Sequence, residues 1–521
     1  MKLKDMTIGP RLRWLVALGL GGVSAAGFAP LDFWPVTLVA FALWMGLVRN
    51  APGLRSALAA GWWFGVGHFT LGNNWIATAF QYQDAMPAWL GWIAVAVLAL
   101  YLAVFPAMAA GAAWRWGRSQ PVAYVLIFAA AWIGAEWLRA TVLTGFAWNP
   151  LGVVWLPVPG VPKLATVIGS YGLSGVFVLA AGLLMGLPAL KRAKFGRPRG
   201  GAIAALFVAI PLAAPVLGQL VFPRKPAPGE AVRPLIRVVQ PNIGQQDKWR
   251  PGFEAQNFAR LAGLSGKPVA EPRLLLWPEA AVPEYLEEAR REDRLARARI
   301  AGLLGPRDIV LTGGTALEWG KDNYAIGARN SLFALDGRGK ILARYDKAHL
   351  VPFGEYLPLR SLLSVIGLSR LVPGDLDFWP GPGPKSYMLP GFGAVGVQIC
   401  YEIIFSGQVI DRANRPDFIF NPSNDAWFGP SGPPQHLAQA RLRAIEEGLP
   451  IIRATPTGIS AVIDAHGRVV ASVPWRTAGA IDARLPKPKP PTLFARHGNL
   501  LPFLFAGALI ILAIARRRVA R

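Results

Sequence analysis

The sequence predicts a protein in two parts, a bundle of membrane-spanning α-helices and a water-facing α/β domain. Hydrophobic residues make up 53% of the 521 residues, and the mean hydropathy is +0.36. These values indicate an integral membrane protein with a sizeable soluble part. Long apolar runs fill the chain up to residue 222, and shorter β-branched runs that alternate with helical patterns follow them. We therefore divide the chain into a membrane domain at 1–222, an α/β domain at 223–495, and a final span with a basic tail at 496–521.

The membrane part contains seven apolar segments up to residue 222, and an eighth lies near the C-terminus. Each is long enough to cross a hydrocarbon core of about 30 Å at about 1.5 Å per helical residue. The eight predicted transmembrane helices are 13–29, 31–48, 56–79, 87–113, 121–138, 166–190, 201–222 and 498–515. The first is similar to the apolar run of a signal peptide, because lysines and arginines precede it. Since further spans follow at once, we interpret it as an uncleaved helix.

Lysines and arginines are distributed unequally between the two ends of the spans. The N-terminal segment, the C-terminal tail and the connections at 49–55, 115–118 and 191–199 hold 17 of them, whereas the opposite connections hold only Arg139 and Lys163. By the positive-inside rule both termini are cytoplasmic and the α/β domain is outside, which for a bacterial inner membrane means the periplasm. The net charge of +24 is therefore mostly a topology signal, and its placement argues against nucleic-acid binding.

Cysteine and histidine are scarce. One cysteine excludes an internal disulfide and a cysteine-based zinc cluster, and five scattered histidines show no metal-ligand spacing. We therefore expect no metal ion.

The segment after the proline-rich linker at 223–229 predicts a single α/β domain. Predicted strands are 235–240, 273–277, 308–312, 331–335, 341–345, 394–400, 417–421, 451–454, 460–464 and 469–472, and predicted helices are 253–264, 286–304 and 435–447. The turn at 465–468 joins the last two strands in a hairpin.

Three reactive side chains stand at or just beyond the end of a predicted strand: Glu279, Lys347 and Cys400. Each alone has an ordinary interpretation. The glutamate reads as a helix-capping or surface acid, the lysine as a solvated charge, and the cysteine as a small buried hydrophobe. Their combination in one fold favours a catalytic site.

With these motifs the chain resembles the nitrilase (carbon–nitrogen hydrolase) superfamily, which carries a Glu-Lys-Cys triad on an αββα sandwich. With membrane spans on both sides of that domain it resembles the bacterial apolipoprotein N-acyltransferase family. The motifs that carry the resemblance are Glu136-Trp-Leu-Arg139 with Thr144-Gly-Phe-Ala-Trp148, Val239-Gln-Pro-Asn-Ile243 with Trp249, Trp277-Pro-Glu279, Asn330-Ser331, Tyr345-Asp-Lys347, Pro352-Phe-Gly-Glu-Tyr-Leu-Pro358, Cys400-Tyr-Glu402 and Asn421-Pro-Ser-Asn-Asp-Ala-Trp-Phe428. The triad alone indicates the superfamily, whereas the triad with eight spans is highly specific.

The three side chains suit covalent acyl transfer. A free thiol has a pKa of about 8.5, so Cys400 needs a base to attack an ester, and Glu279 is the candidate acceptor of its proton. Lys347 can stabilise the tetrahedral oxyanion. Collapse leaves a thioester that an amine then attacks. Protonated Glu279 can give its proton to the leaving alcohol and, as a carboxylate, can then deprotonate the incoming amine in a ping-pong cycle. This acyl-transfer cycle needs no ATP and no organic cofactor.

The resemblance implies the substrates. The acyl donor is a phospholipid, typically phosphatidylethanolamine, and the acceptor is the α-amino group of the diacylglyceryl-cysteine at a lipoprotein N-terminus. It also implies that Glu355 and Glu402 support the triad, with Trp249 and Tyr401 as packing or lipid contacts, and we expect a monomer. Two other classes stay open: a membrane-anchored amidase that gives the thioester to water, and a lipid-binding or transport protein, in which Cys400→Ala would be silent.

Two further stretches are candidates for lipid contact. Glu136 and Arg139, at the outer end of the fifth span, form either a snorkelling pair at the membrane interface or a polar wall for a lipid head group. The apolar loop 356–378 is either a buried helix or, as we hypothesise, a mobile arm between triad and membrane whose apolar face meets acyl chains. Its candidate contacts are Leu362, Leu363 and Ile366.

Overall fold

The computed structural model describes residues 9–82, 86–192, 233–248, 250–322, 324–363, 365, 371 and 376–519. These residues divide into two compact units. The first lies within Met1–Asn74, Trp92–Pro226 and His497–Arg521, and the second lies within Trp75–Gly91 and Ala227–Arg496. The second unit therefore includes a short segment from the N-terminal part of the chain.

The first unit consists of α-helices. They are Pro10–Ser24, Trp34–Arg49, Leu54–Gly72, Leu90–Leu102, Val104–Gly117, Pro121–Arg139, Ala165–Arg192 and Leu500–Val519. Glycine allows two of them to approach closely, since a Cβ on Gly67 would lie 2.1 Å from the Leu18 carbonyl oxygen and one on Gly21 would lie 1.9 Å from that of Phe64. Aromatic rings fill the space between others, with Trp44 stacked on Phe64 at 3.9 Å.

Four described stretches are long and apolar enough to cross a membrane: Leu90–Gly117, Pro121–Arg139, Val161–Gly186 and Leu500–Arg518. The helices at the first two predicted spans are shorter, since Pro10–Ser24 has 15 residues and Trp34–Arg49 has 16. The third predicted span is divided into the helix Leu54–Gly72 and the separate short helix Ile76–Ala79. The predicted span 201–222 lies outside the described residues. The apolar helices support a membrane protein, and the number of eight transmembrane helices stays a prediction.

The second unit contains two β-sheets. In chain order the strands are β1 (Leu235–Gln240), β2 (Arg273–Leu276), β3 (Ile309–Trp319), β4 (Ala325–Asp336), β5 (Ile341–Asp346), β6 (Ser386–Leu389), β7 (Gly393–Val397), β8 (Phe418–Pro422), β9 (Ile451–Ala454), β10 (Ser460–Ile463), β11 (Val469–Val473) and β12 (Gly479–Arg484). One sheet has the order β12-β1-β2-β3-β4-β5, and the other has the order β11-β10-β9-β8-β7-β6. The central strands β1, β2 and β3 are parallel, as are β7, β8 and β9. The other neighbouring strands in both sheets pair in antiparallel fashion.

The two sheets share one apolar core. Alternate strand residues such as Val238 of β1 and Phe420 of β8 point into it and are fully buried. The helices Glu254–Ser265 and Arg291–Ala301 cover the other face of the first sheet through a second apolar cluster, and the helix Gly432–Glu447 packs against β9. The layers are therefore helix, sheet, sheet and helix, as the predicted αββα sandwich requires.

Every predicted strand corresponds to an observed one, and the hairpin of β10 and β11 is confirmed. The sequence does not predict β6 or β12. It also predicts β3 and β4 too short, because it finds only the buried half of each strand. β12 pairs with β1 along its whole length but alternates poorly between buried and exposed residues. Its pairing partner, rather than its own pattern, makes it a strand.

The segment Trp75–Gly91 groups with the α/β unit although apolar helices precede and follow it in sequence. The ring of Trp75 lies 4.4 Å from that of Phe428, and Tyr82 meets Trp427 edge to face at 6.1 Å. The division at residues 222 and 495 stays a proposal. The predicted division differs from the observed grouping at this segment, because local sequence does not predict aromatic contacts with residues so distant in the chain.

Gly313 of β3 allows the chain beyond β2 to come close. Its N–H donates to the Pro278 carbonyl at 3.2 Å, and its own carbonyl accepts from the Ala281 N–H at 2.9 Å. A Cβ at this position would lie 2.3 Å from Ala280 N and 2.7 Å from Glu279 Cα. We predict that Gly313→Ala destabilises the α/β unit, because overpacking of this kind costs about 1–3 kcal/mol.

The one cysteine of the chain supplies the measurement. Cys400 is buried, so a thiol-reactive dye added to detergent-solubilised protein reports thermal unfolding, and Gly313→Ala should lower the midpoint temperature. Gly263→Ala is the matched control, since its Cβ meets nothing within 4 Å and alanine is favoured over glycine within a helix by about 0.5–1 kcal/mol. Equal midpoints in the two variants would contradict the prediction.

Candidate active site

Cys400 lies in the turn that follows β7. It begins the 3-10 turn Cys400–Ile404, with a backbone φ of +53°, which is uncommon for a residue that has a side chain. The residue is 7% exposed. Two side chains donate hydrogen bonds to its carbonyl oxygen, Asn421 Nδ2 at 3.3 Å and His436 Nε2 at 3.1 Å. Unusual backbone conformations that are held in this way cluster at functional sites.

Glu279 and Lys347 come from the other sheet. β2 ends three residues before Glu279, and β5 ends directly before Lys347. Both residues are buried, and Lys347 Nζ lies 3.5 Å from Glu279 Oε1. Both interact electrostatically with the thiol of Cys400. The structure therefore brings together the three side chains that the sequence predicts to be catalytic.

Asn330, in β4, joins two buried carboxylates. Its Nδ2 donates to Glu279 Oε1 at 2.7 Å and to Glu355 Oε1 at 2.8 Å. Glu355 also accepts from Lys347 Nζ at 3.0 Å and, through Oε2, from the Val351 N–H at 2.8 Å. Among the described residues Glu279 Oε2 has no hydrogen-bond donor although it is buried. This oxygen is therefore the acceptor available for a proton.

Burial and neighbouring charges set the protonation states at the site. Burial alone lowers the pKa of the Lys347 ammonium group, but Glu355 and Glu279 outweigh it and the pKa is raised. Burial raises the pKa of the Cys400 thiol well above its usual value, and Glu279 adds to this while Lys347 opposes it. At neutral pH the site holds a charged lysine and a neutral thiol. Attack by the sulfur therefore requires a base.

Glu402 connects the loop after β5 with the loop after β7. Its Oε1 accepts from the N–H groups of Ala348 at 2.7 Å and His349 at 3.1 Å, and its Oε2 accepts from the Ile399 N–H at 2.6 Å. The Tyr345 hydroxyl donates to the same carboxylate at 2.9 Å. These donors suit an ionised carboxylate, although burial raises the pKa of Glu402 to about 7.

The remaining predicted residues of the α/β domain are one buried tyrosine and four residues that the structure does not describe in full. Tyr401 is buried, and its ring contacts those of His349 and Phe405. Trp249, Ile366 and the side chains of Leu362 and Leu363 lie outside the described residues.

Glu136 and Arg139 lie in the first unit near the end of one helix, and they are 4% and 3% exposed. Glu136 Oε1 accepts from the Leu151 N–H at 2.7 Å. Arg139 Nη1 donates to the carbonyls of Phe146 at 3.0 Å and Trp148 at 2.7 Å. Both side chains hold the chain that follows the helix, and both line a small cavity of this unit. Their burial does not fit a snorkelling pair, and contact with lipid stays a proposal.

Lys248 is a second lysine at the site that sequence reasoning missed. Its Nζ donates to the backbone carbonyl of Glu279 at 3.1 Å. Burial, opposed by Glu279 and Cys400, lowers the pKa of Lys248 to about 8. In sequence it reads as an ordinary surface charge, and its only signal is its place in the segment that follows β1.

Asp425, His436 and Arg453 form a buried polar cluster that sequence reasoning also missed. His436 Nδ1 lies 2.9 Å from Asp425 Oδ1, and Arg453 Nη2 donates to Asp425 Oδ2 at 2.5 Å. Asp425 belongs to a motif already noted, Asn421 to Phe428. His436 gives no signal, because one histidine on an amphipathic helix reads as a core or surface residue.

Comparison with known proteins identifies both parts of the chain. A family model described as carbon-nitrogen hydrolase matches residues 235–488, and one described as the apolipoprotein N-acyltransferase N-terminal domain matches residues 20–183. The apolipoprotein N-acyltransferase of Rhodopseudomonas palustris is 36% identical, over 97% of this chain and 95% of the relative. The chain belongs to the apolipoprotein N-acyltransferase family.

A second apolipoprotein N-acyltransferase, from Bradyrhizobium diazoefficiens, is 36% identical over 100% of this chain and 98% of its own length. Among solved structures, an amidase from Nesterenkonia sp. is 18% identical with a TM-score of 0.31, and the match covers 50% of this chain and 92% of the amidase. The predicted family and enzyme class, an acyltransferase, are confirmed by the relatives. The nitrilase-like α/β part of the predicted fold is confirmed by the family model together with the two observed sheets.

We predict that Glu402→Gln lowers the activity of this N-acyltransferase about ten- to hundredfold. An amide replaces one acceptor oxygen by an N–H donor, which would face the backbone donors of the two loops that carry Lys347 and Cys400. The wild-type rate should also fall as the pH drops below about 7, because protonated Glu402 adds a donor where only acceptors fit. Initial rates of acyl transfer across the neutral pH range measure both effects.

Glu447→Gln is the matched control. Glu447 is also buried, and its burial and the neighbouring charge of Glu446 raise its pKa to about 7. It differs from Glu402 because it ends the helix Gly432–Glu447 and makes none of the loop contacts of Glu402. Its variant should keep the wild-type rate and pH profile. Unchanged rates in Glu402→Gln would remove the role assigned to that carboxylate.

Proposed function

We propose that this apolipoprotein N-acyltransferase works through a thioester on Cys400. An acyl chain moves from a membrane phospholipid to the sulfur, and then from the sulfur to the N-terminal amine of a lipoprotein's diacylglyceryl-cysteine. The observation that carries the proposal is a buried thiol whose pKa is shifted by the charges of two buried neighbours, Glu279 and Lys347, which lie 3.5 Å apart.

In the first half-reaction Cys400 attacks the ester carbonyl of the phospholipid. Glu279 Oε2, the buried oxygen that lacks a donor among the described residues, takes the thiol proton as the carbon–sulfur bond forms. Lys347, and a backbone N–H next to the cysteine, stabilise the oxyanion. The tetrahedral adduct collapses as the carbon–oxygen bond breaks, and Glu279 returns the proton to the alcohol of the departing lysophospholipid.

In the second half-reaction the lipoprotein amine attacks the thioester carbonyl. Ionised Glu279 takes a proton from the amine, and Lys347 stabilises the second oxyanion. The carbon–sulfur bond then breaks, the acyl chain remains on nitrogen as an amide, and the sulfur recovers its proton from Glu279. The cycle is redox-neutral. Glu279 passes one proton from the thiol to the leaving alcohol in the first half-reaction and one proton from the amine to the sulfur in the second.

The other predicted residues have supporting roles in the proposal. Glu355 holds the Lys347 ammonium group and Glu402 holds the loops. Trp249 and Tyr401 pack beside the site or contact lipid. The candidates for contact with acyl chains or head groups are Glu136, Arg139, Leu362, Leu363 and Ile366. The proposed donor is phosphatidylethanolamine and the proposed state is a monomer.

We predict that each triad variant fails at a different step. Cys400→Ala should form no acyl-enzyme. Glu279→Gln should acylate very slowly, with partial recovery at raised pH that supplies thiolate directly. Lys347→Ala should lose about 10²–10³-fold in both half-reactions, because both pass through a tetrahedral oxyanion. A fluorescent phospholipid in single-turnover reactions follows acylation, and lipopeptide added to preformed acyl-enzyme follows aminolysis.

The control for the lysine is Lys340→Ala, an exposed lysine before β5, which should react at the wild-type rate. The covalent mechanism would be contradicted if Cys400→Ala still transferred acyl chains. It would also be contradicted if Lys347→Ala ran both half-reactions at the wild-type rate. Mass spectrometry of the acyl-enzyme without lipopeptide tests the amidase alternative, because an amidase would return free fatty acid at the full rate in water alone.

The proposed topology has eight spans in the bacterial inner membrane, with both termini in the cytoplasm and the catalytic domain at 223–495 in the periplasm. Its support is the unequal distribution of lysine and arginine between the connections.

We predict that cysteines introduced at opposite ends of this topology label from opposite sides. In a Cys400→Ala background, Met388→Cys, at a position 73% exposed, should react with an impermeant maleimide in intact spheroplasts. Arg518→Cys, in the exposed part of the basic tail, should react only after lysis. Labelling of Arg518→Cys in intact cells, with Met388→Cys protected, would reverse the orientation.

A further inference from the structure

A buried polar cluster contacts the backbone of Cys400, and the two half-reactions above use none of its side chains. His436 Nε2 and Asn421 Nδ2 donate to the Cys400 carbonyl at 3.1 Å and 3.3 Å. His436, Asp425 and Arg453 are each 0% exposed. The backbone N–H of Asn424 donates a hydrogen bond to the sulfur. The segment from Asn421 to Asn424 therefore contacts both the carbonyl and the thiol of Cys400.

Arg453 anchors both donors. Its Nη1 donates to Asn421 Oδ1, and its Nη2 donates to Asp425 Oδ2 and lies 2.9 Å from His436 Nδ1. Asp425 Oδ1 lies 2.9 Å from the same ring nitrogen. Because a carbonyl oxygen only accepts, His436 Nε2 carries a hydrogen whichever charge the ring has. The cluster therefore presents an N–H of fixed direction to Cys400.

The imidazole ring is also held by apolar contacts. The ring of Phe428 lies 5.9 Å from that of His436, and Trp75 packs on Phe428 at 4.4 Å. His436 itself belongs to the helix Gly432–Glu447, which packs against the turn Cys400–Ile404. Polar partners and aromatic neighbours together keep the ring in one orientation.

We propose that His436 is a positioning residue for acyl transfer: with Asn421 it fixes the Cys400 carbonyl and so the plane of the Cys400–Tyr401 peptide. In a trans peptide the N–H points opposite to the C=O, so a carbonyl held by His436 directs the Tyr401 N–H away from the cluster. The inference rests on the proposed function, in which a backbone N–H beside Cys400 stabilises the oxyanion. A donor fixed before the reaction stabilises the transition state without reorganisation.

The left-handed backbone of Cys400, with φ +53°, explains why such support is needed. This conformation is unfavourable for a residue with a Cβ, and it persists only where the surroundings determine it. At Cys400 the two donors to the carbonyl and the Asn424 N–H at the sulfur hold the backbone in this conformation. Without His436, only the longer hydrogen bond from Asn421 holds the carbonyl, so the peptide plane is less constrained and the oxyanion donor turns with it.

Two substitutions separate positioning from simple filling of space. In His436→Gln the amide nitrogen lies where Nε2 lies, and it still reaches the Cys400 carbonyl. In His436→Asn the shorter amide reaches Asp425 and Arg453 but not the carbonyl. Single-turnover acylation of the full-length protein by a fluorescent phospholipid, at a series of donor concentrations, gives the maximal rate and the half-saturating concentration for each variant.

The proposal predicts that His436→Gln acylates close to the wild-type rate and that His436→Asn is slower by about tenfold or more, as expected when a buried carbonyl loses a donor. The half-saturating donor concentration should be unchanged in both, because donor binding does not involve the carbonyl. If His436→Asn is as fast as His436→Gln, or if the loss appears in the half-saturating concentration alone, the proposal is wrong. If wild-type protein forms no acyl-enzyme, the proposed function fails before the variants are compared.

A measurement on the wild-type protein covers the case in which His436→Asn does not fold. The chain has one cysteine, so carbonyl-¹³C cysteine labels the Cys400 carbonyl alone, and ¹⁵N-histidine labels the ring. Solid-state NMR should show a dipolar coupling between this carbonyl carbon and a ring nitrogen that carries hydrogen. Its absence in folded protein would overturn the proposal. In His436→Gln, with ¹⁵N-labelled glutamine side chains in place of ¹⁵N-histidine, a coupling between the same carbonyl carbon and an amide nitrogen would support it.

Discussion

The carboxylate of Glu402 accepts backbone hydrogen bonds from loops of both sheets, and the geometry of the site depends on it. Ala348 and His349 follow the last strand of one sheet, and Ile399 follows β7 of the other. Neither sheet holds the site by itself, because Glu279 and Lys347 follow strands of the first sheet and Cys400 follows a strand of the second. A single buried acid therefore helps to set how far Lys347 lies from Cys400.

The carboxylates around Lys347 keep its ammonium group charged. Lys347 faces both Glu279 and Glu355, and the two carboxylates in turn share the neutral amide of Asn330. A neutral donor between two acids lowers their repulsion without adding a positive charge that would compete with the lysine. Glu279 also disfavours the thiolate, and the pKa of the Cys400 thiol is raised by burial and by Glu279. The proposed mechanism therefore needs a base.

The predicted part of the site consists of residues whose position follows from local pattern. Glu279, Lys347 and Cys400 stand at or just beyond the end of an apolar strand, and a strand end fixes a side chain with little help from the rest of the fold. His436 and Lys248 could not be predicted in this way, since each acts through a partner distant in sequence. For the same reason β12, which pairs with β1, gives no local signal, and apolar stretches near the N-terminus predict helices but not the shorter lengths observed.

The segment Trp75–Gly91 has a consequence for how the protein is made. It leaves the ribosome early, between two apolar helices, whereas Trp427 and Phe428, which its aromatic rings contact, are synthesised much later. Since domains of a growing chain begin to fold from the N-terminal side, this segment must wait without its partners while most of the α/β unit emerges. The last aromatic contacts are therefore closed over a long loop, which slows assembly. An excised α/β piece that began at residue 227 would lack the segment and expose those two aromatic side chains to water.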